Sequence, residues 1–295
     1  MTIPMIFIYD SNLQMRSVAA SRLSAPIRSS CSNVLYGTMS QQEASSQVQL
    51  YWATGCTSCL RAKEFLERND VSFVSHNVVE DKTILDDMAA EGMPRQVPVI
   101  KRGDDWADAQ VLSEVARIAN VEHEAEPLPV EALYERLDTV LNALQEYLQL
   151  IPDDELGTDI PNRPRSYGNV VYHIFSIPES FLEHEDGTPM RSYKPEPPWT
   201  NRSKASLETY GAHVQARLHD WRHGPGWDRD WSETANVYYG EPTVHKYLER
   251  TVWHAGQHTR QLEWVLDERL GVEFEPLPAD VWEGLPLPKK VWDAL

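Results

Sequence analysis

His254 and His258 stand four residues apart and Cys56 and Cys59 three apart, and these two pairs are where chemistry is to be sought in this chain. Histidines at i and i+4 of a helix project from one face about one turn apart, so both imidazoles can reach a shared metal ion. The same spacing also occurs on a solvated helix face, and a third ligand is what separates the two readings. Cys56-Thr57-Ser58-Cys59 falls where a strand pattern gives way to a helix pattern. There, exposed N–H groups and the helix dipole favour the thiolate of Cys56, and Cys59, one turn later, is placed to resolve a mixed disulfide. A metal-binding or inert pair is the other reading of C-x-x-C.

Composition narrows the setting. The chain has 295 residues, enough for two domains that each bury a core. A net charge of -18 and a pI near 4.9 argue against a nucleic-acid partner, because phosphate binding needs clustered Lys and Arg. No apolar run approaches membrane-spanning length and mean hydropathy is -0.48, so we expect a protein without a membrane partner. Only three cysteines occur, Cys31, Cys56 and Cys59, which suggests a reducing, cytoplasmic setting in which a close pair is catalytic or metal-binding.

The elements that must position these residues are legible from periodicity. Residues 1–46 are rich in serine and arginine and read as a disordered leader or an over-long start, with Met39 an alternative initiator and Cys31 incidental. From Val48 the pattern predicts strand VQLYWAT, helix Cys59 to Asn69, strand Val71 to Asn77, helix Lys82 to Glu91, strand VPVIKRG and helix Ala109 to Asn120, an α/β domain over 47–121. The acidic, proline-punctuated segment 122–129 reads as a linker. Four amphipathic helices follow over 130–272: Val130 to Leu150, Asn169 to Glu185 with Pro178 perturbing it, Ser206 to His223, and Thr243 to Gly271. An all-α four-helix bundle is the simplest packing, with 273–295 a C-terminal tail. His173 lies in the second of these helices and is the obvious third ligand. The long stretches Asp186 to Arg202 and Gly224 to Thr243 are rich in aromatic residues, proline and glycine. Trp227, Trp231, Tyr238 and Tyr239 either line a pocket there or pack the loop onto the bundle. We expect Gln257 and Arg260 on a solvated helix face, with ligand support or carboxylate binding as the alternative, and His184, His213, His219, His223 and His245 at the surface.

The strand VQLYWATG, Cys56 and Cys59, and Val97-Pro98 before the third strand together resemble the glutaredoxins and NrdH-type redoxins over Val48 to Val121. The resemblance implies a thioredoxin-like fold, Cys56 as nucleophile, Cys59 as resolving thiol, Pro98 in the cis form, and Val97 offering backbone to a low-molecular-weight thiol such as glutathione. Thr57-Ser58 stands where the family has Pro-Tyr, and RGDDWADAQV lacks the family's Gly-Gly glutathione segment. Arg95, Asp105 and Asp108 are substitute candidates for that contact. YGNVVYHIFSIPESFL and LERTVWHAGQHTRQLEWVLDERLG resemble the DinB/YfiT bundles over Val130 to Gly271. That resemblance implies that His173, His254 and His258 bind a divalent metal (Zn, Ni or Fe) and that the bundle uses a small thiol.

Three neutral imidazoles leave coordination positions open, the catalytic rather than the structural pattern. The combined expectation is a thiol-dependent metalloenzyme: a thiol-disulfide oxidoreductase module coupled to a thiol transferase or isomerase acting on a small electrophile, possible as a homodimer. The alternatives are a redox-responsive metal-binding sensor or scaffold without turnover, and a simple disulfide reductase with an inert bundle.

Overall fold

Alternation builds the first domain. In strand β1 (Val48–Trp52), Val48 and Leu50 face one core while Tyr51 faces the other, and in β3 (Val99–Arg102) Val99 and Ile100 divide in the same way. A sheet with apolar residues on both faces needs helices on both faces. In the computed structural model, which describes residues 47–123, 125–161, 165–191, 202–224 and 226–293, that is the arrangement found. Helices α1 (Thr57–Arg68) and α3 (Leu112–Ala119) cover one face and α2 (Thr83–Ala90) the other. The strand order is β2-β1-β3-β4, with β2 (Phe73–Asn77) parallel to β1 and the other pairings antiparallel. This is the expected thioredoxin-like sheet.

The edge strand β4 (Asp105–Asp108) is absent from the sequence expectation. It is short, charged at both ends, and buries only Ala107, so it carries little apolar signal. Helix α1 begins at Thr57, two residues earlier than expected, because the Cys56 sulfur accepts from the Cys59 N–H and caps the helix. The expected leader, residues 1–46, lies outside the described residues.

The second domain is a bundle of α4 (Val130–Leu150), α5 (Tyr167–Glu185), α6 (Lys204–Arg222) and α7 (Val244–Glu268). Each helix packs on two neighbours, in the ring α4, α7, α5, α6. Ser166, Ser203 and Thr243 cap three of the N-termini, and Gly271, at φ +59°, turns the chain after α7. Helix α5 runs through Pro178 without a break. Among the described residues no helix is long and apolar enough to cross a membrane.

The expected tail does not hang free. After α7 it crosses the bundle, forms a 3₁₀ turn at Ala279–Val281, and buries Leu285 and Trp292 in the bundle's core. Gly256 on α7 makes this possible: a Cβ there would lie 2.8 Å from Cζ3 of Trp282. Both domains belong to one unit, Gln47–Leu295.

Candidate functional site

Helices α5 and α7 bring His173, His254 and His258 together in the interior of the bundle. One ring nitrogen from each lies within 4.8 Å of the others, and the ring centroids are 4.7 to 5.3 Å apart. All three side chains are buried. Burial, and then the Arg250 guanidinium, hold the His254 imidazole well below its ordinary pKa, so it is neutral and its lone pair is available. Its Nδ1 is buried without a hydrogen-bond partner. His258 Nδ1 is 2.7 Å from Gln261 Oε1, an acceptor that puts the proton on Nδ1 and leaves Nε2 for a ligand bond. The neutral His254 ring with its orphaned buried nitrogen, the oriented His258 ring and His173 beside them are a donor set that fits a divalent ion.

Beside His173 and His254 lies a small cavity of about 30 Å³, whose walls include Ile177, Met190, Tyr238 and Arg250. It shares Met190 and Tyr238 with an outer hollow of about 420 Å³. Gln110, which follows β4 in the first domain, reaches this wall. Its Oε1 accepts from Arg250 at 2.6 Å and from the Tyr238 hydroxyl at 3.2 Å, and its backbone oxygen accepts from Arg61 of α1. Asp108, in turn, accepts from the Gln110 N–H at 2.8 Å and from the Gln96 side chain at 3.2 Å. Burial pushes Asp108 up to about 6.

Cys56 and Cys59 form a disulfide at the start of α1, and the Val97-Pro98 peptide bond is cis. The Ala109 N–H donates to the Pro98 carbonyl at 3.0 Å, so the segment that carries Asp108 and Gln110 is fastened to the cis-proline loop. These features complete the pattern that VQLYWATG opened.

Residues 48–106 match the glutaredoxin family model. That stretch is therefore a glutaredoxin domain, and an all-helical region follows it. The global transcriptional regulator Spx of Listeria innocua is 23% identical over 128 residues, covering 41% of this chain and 92% of the relative, and Spx of Listeria monocytogenes gives the same figures. Among solved structures, the apo form of human glutathione S-transferase T1-1 is similar over 80% of this chain and 87% of its own, at 15% identity and a TM-score of 0.29, too low to carry an argument.

The tail ties the glutaredoxin domain to the histidine helix. Arg260 donates to the carbonyls of Pro288 and Lys289, and Gln257 to those of Lys290 and Val291. Gln261, whose Oε1 faces His258, donates to the Val291 carbonyl at 3.1 Å. On the other side, Glu64 of α1 accepts from the Lys289 and Lys290 N–H groups, and Asp293 accepts from the Gly55 N–H, next to Cys56. One strap thus contacts the disulfide loop and a residue that orients a candidate ligand.

Several expectations are corrected. Gln257 is fully buried and Arg260 half-buried, and both bond the tail instead of standing on a solvated helix face. His184 is half-buried against Tyr247, and the His245 ring bonds the Leu128 carbonyl at 2.8 Å, whereas His213, His219 and His223 are exposed as expected. Of Trp227, Trp231, Tyr238 and Tyr239, Tyr238 alone lines the cavity among the described residues, and most of the stretch Asp186 to Arg202 lies outside them. Trp227 and Trp231 pack on Trp221, and Tyr239 stacks under Arg250. Arg95 pairs with Asp86, and Asp105 with Arg117 at the end of β4 away from Pro98; of the three only Asp108 borders the cis-proline loop. Arg61, Gln110, Arg250, Gln261 and Asp293 went unnoticed in the sequence. Arg250 had a signal: it stands one turn before His254 on the histidine face of α7.

Proposed function

We propose that the chain is a thiol-dependent metalloenzyme in which a glutaredoxin domain serves a DinB-like bundle. His173, His254 and His258 hold a divalent ion (zinc, nickel or iron), with Gln261 fixing the tautomer of His258. When bound, such an ion supplies Lewis acidity that keeps a low-molecular-weight thiol as its thiolate at neutral pH. The small electrophile lies across the adjoining cavity and the outer hollow, against Ile177, Met190 and Tyr238.

The glutaredoxin domain handles the thiol's oxidised form. Cys56 thiolate attacks a mixed disulfide, forming a Cys56 mixed disulfide and expelling one thiolate. Cys59 thiolate then attacks the Cys56 sulfur and expels the second, leaving the Cys56–Cys59 disulfide. Two equivalents of glutathione, the thiol this family implies, return the pair to dithiols and leave as glutathione disulfide. Val97, beside Pro98, offers its backbone to the bound thiol.

The observation that carries this reading is the bridge made by Gln110, which belongs to the domain bearing the cysteines yet bonds Arg250 in the cavity that His173 and His254 line. The test is to supply the full-length protein with glutathione and a panel of electrophiles. His173→Ala should abolish thiol consumption and leave disulfide reduction intact, and Cys56→Ser should do the reverse. Loss of the same property in both variants contradicts the division of labour.

The Spx likeness favours a second reading, a redox-responsive regulator in which the Cys56–Cys59 pair senses oxidation and the bundle is a metal-bearing scaffold. Metal binding with no thiol consumption under any electrophile selects it.

A further inference from the structure

We propose that the cavity beside His173 and His254 is a carboxylate-binding site with Arg250 as its anchor, and that the small molecule acted on there carries a carboxylate. Its catalytic meaning rests on the reading proposed above; the binding site itself does not.

The argument begins with two cations. Arg250 is 7% exposed and Arg61 5%, and among the described residues neither has a carboxylate within ion-pair distance. Both donate instead to the same neutral residue, Gln110, and the Nε of each is buried without a partner. Burial and then the neighbouring Arg250 charge bring Arg61 down to about 9, so the two feel one another. Asp108 is near, but its oxygens are taken by Gln110 and Gln96. Arg61 stacks on Trp253 at 3.9 Å and Arg250 on Tyr239 at 4.4 Å; burial disfavours the Arg250 cation, but Tyr239, the other ring hydroxyls and Asp108 more than offset it and keep Arg250 charged. The acids that act on the pair, Glu249 on Arg61 and Asp108 on Arg250, lie beyond ion-pair distance, and two buried cations without a direct carboxylate partner among the described residues, in a chain of net charge -18, are the complement of an anionic ligand.

The cavity supports a specific chemistry. Its hydroxyls at Ser176, Ser180 and Thr251 donate to backbone carbonyls within their own helices, which leaves Arg250 as the cationic donor facing the space. The guanidinium fork suits a planar, two-oxygen anion. The inner space, about 30 Å³, fits a group of carboxylate size, and the outer hollow of about 420 Å³ beyond Met190 and Tyr238 takes the body of the molecule.

The experiment uses full-length protein stripped of metal with a chelator, with benzoate as the probe and benzamide as its neutral analogue, read by ligand-observed NMR. We expect saturable benzoate binding, about tenfold or more tighter than benzamide, and a loss of about tenfold or more in Arg250→Met. Arg250→Met should keep the parent's helix content by circular dichroism, so that a loss of benzoate affinity reports the missing cation and not a lost fold. Arg250→Lys should fall between. His254→Ala should still bind benzoate, so failure of the metal reading leaves this result standing. Displacement of benzoate by glutathione would assign the carboxylate to the thiol, and its absence to the electrophile; both uphold the site. Equal binding of benzoate and benzamide, no saturable benzoate binding, or undiminished affinity in both Arg250 variants overturns it.

Discussion

The carboxylate of Asp293, at the end of the described tail, accepts the Gly55 N–H through both oxygens, at 2.9 and 3.1 Å. Gly55 precedes Cys56, so the strap closes on the loop that carries the redox pair. A charge-assisted bond of this kind is worth roughly 1.5–3 kcal/mol when shielded. Asp293→Asn should therefore raise the exchange rate of the Gly55 amide by about tenfold, measured by hydrogen exchange, while the amides of β1 exchange as before. Unchanged exchange at Gly55 would mean that the strap does not hold the loop in solution.

Gln261 ties the same strap to the histidines, accepting from the His258 ring and donating to Val291. Replacing it by Leu removes the acceptor that sets the tautomer. We expect metal affinity to fall by about 10- to 100-fold, with helix content preserved by circular dichroism. Affinity equal to that of the parent protein would show that Gln261 only holds the tail.

The close approach of α7 and the tail gives a stability test. In Gly256→Ala the new methyl meets the Trp282 ring, and overpacking of this kind costs about 1–3 kcal/mol. Alanine recovers about 1 kcal/mol of helix propensity. The net expectation is a small destabilisation by urea titration; a clear gain in stability would show that Trp282 yields.

Asp108 gives a pH signature. Its carboxyl ionises near 3.8 in the unfolded chain and is pushed up to about 6 by burial in the fold. Between those values the folded state binds more protons, so this group's contribution favours folding at low pH and is lost as pH rises through about 6. The effect is about 2 kcal/mol, less than the full shift implies because Asp108 keeps some contact with water. Asp108→Asn should be more stable than the parent above pH 6, with the gap closing toward pH 4 in thermal melts. A gap independent of pH would contradict the burial argument.

The parts of the molecule legible in the sequence are those with local causes. Leu133, Leu137, Leu144 and Leu148 recur at helical spacing and are all buried in α4, and the α/β alternation of the glutaredoxin domain follows from runs such as VQLYW. The convergence of His173 on His254 and His258 followed once a bundle was assumed. What escaped has non-local causes. Gln257, Arg260 and Gln261 are polar residues whose partners are backbone carbonyls of residues 288–291, and nothing near them in sequence announces that. Arg61 and Arg250 look like surface residues until the domains close on them. Strand β4 is formed by pairing with β3, not by its own composition.

The central measurement is elemental analysis of protein purified without added metal, alongside His254→Ala prepared in the same way. About one equivalent of a divalent transition metal per chain, lost in the variant while the helical content is kept, is the expected result. Metal absent from the parent protein, or retained in full by His254→Ala, would contradict the assignment of His173, His254 and His258 as a metal centre.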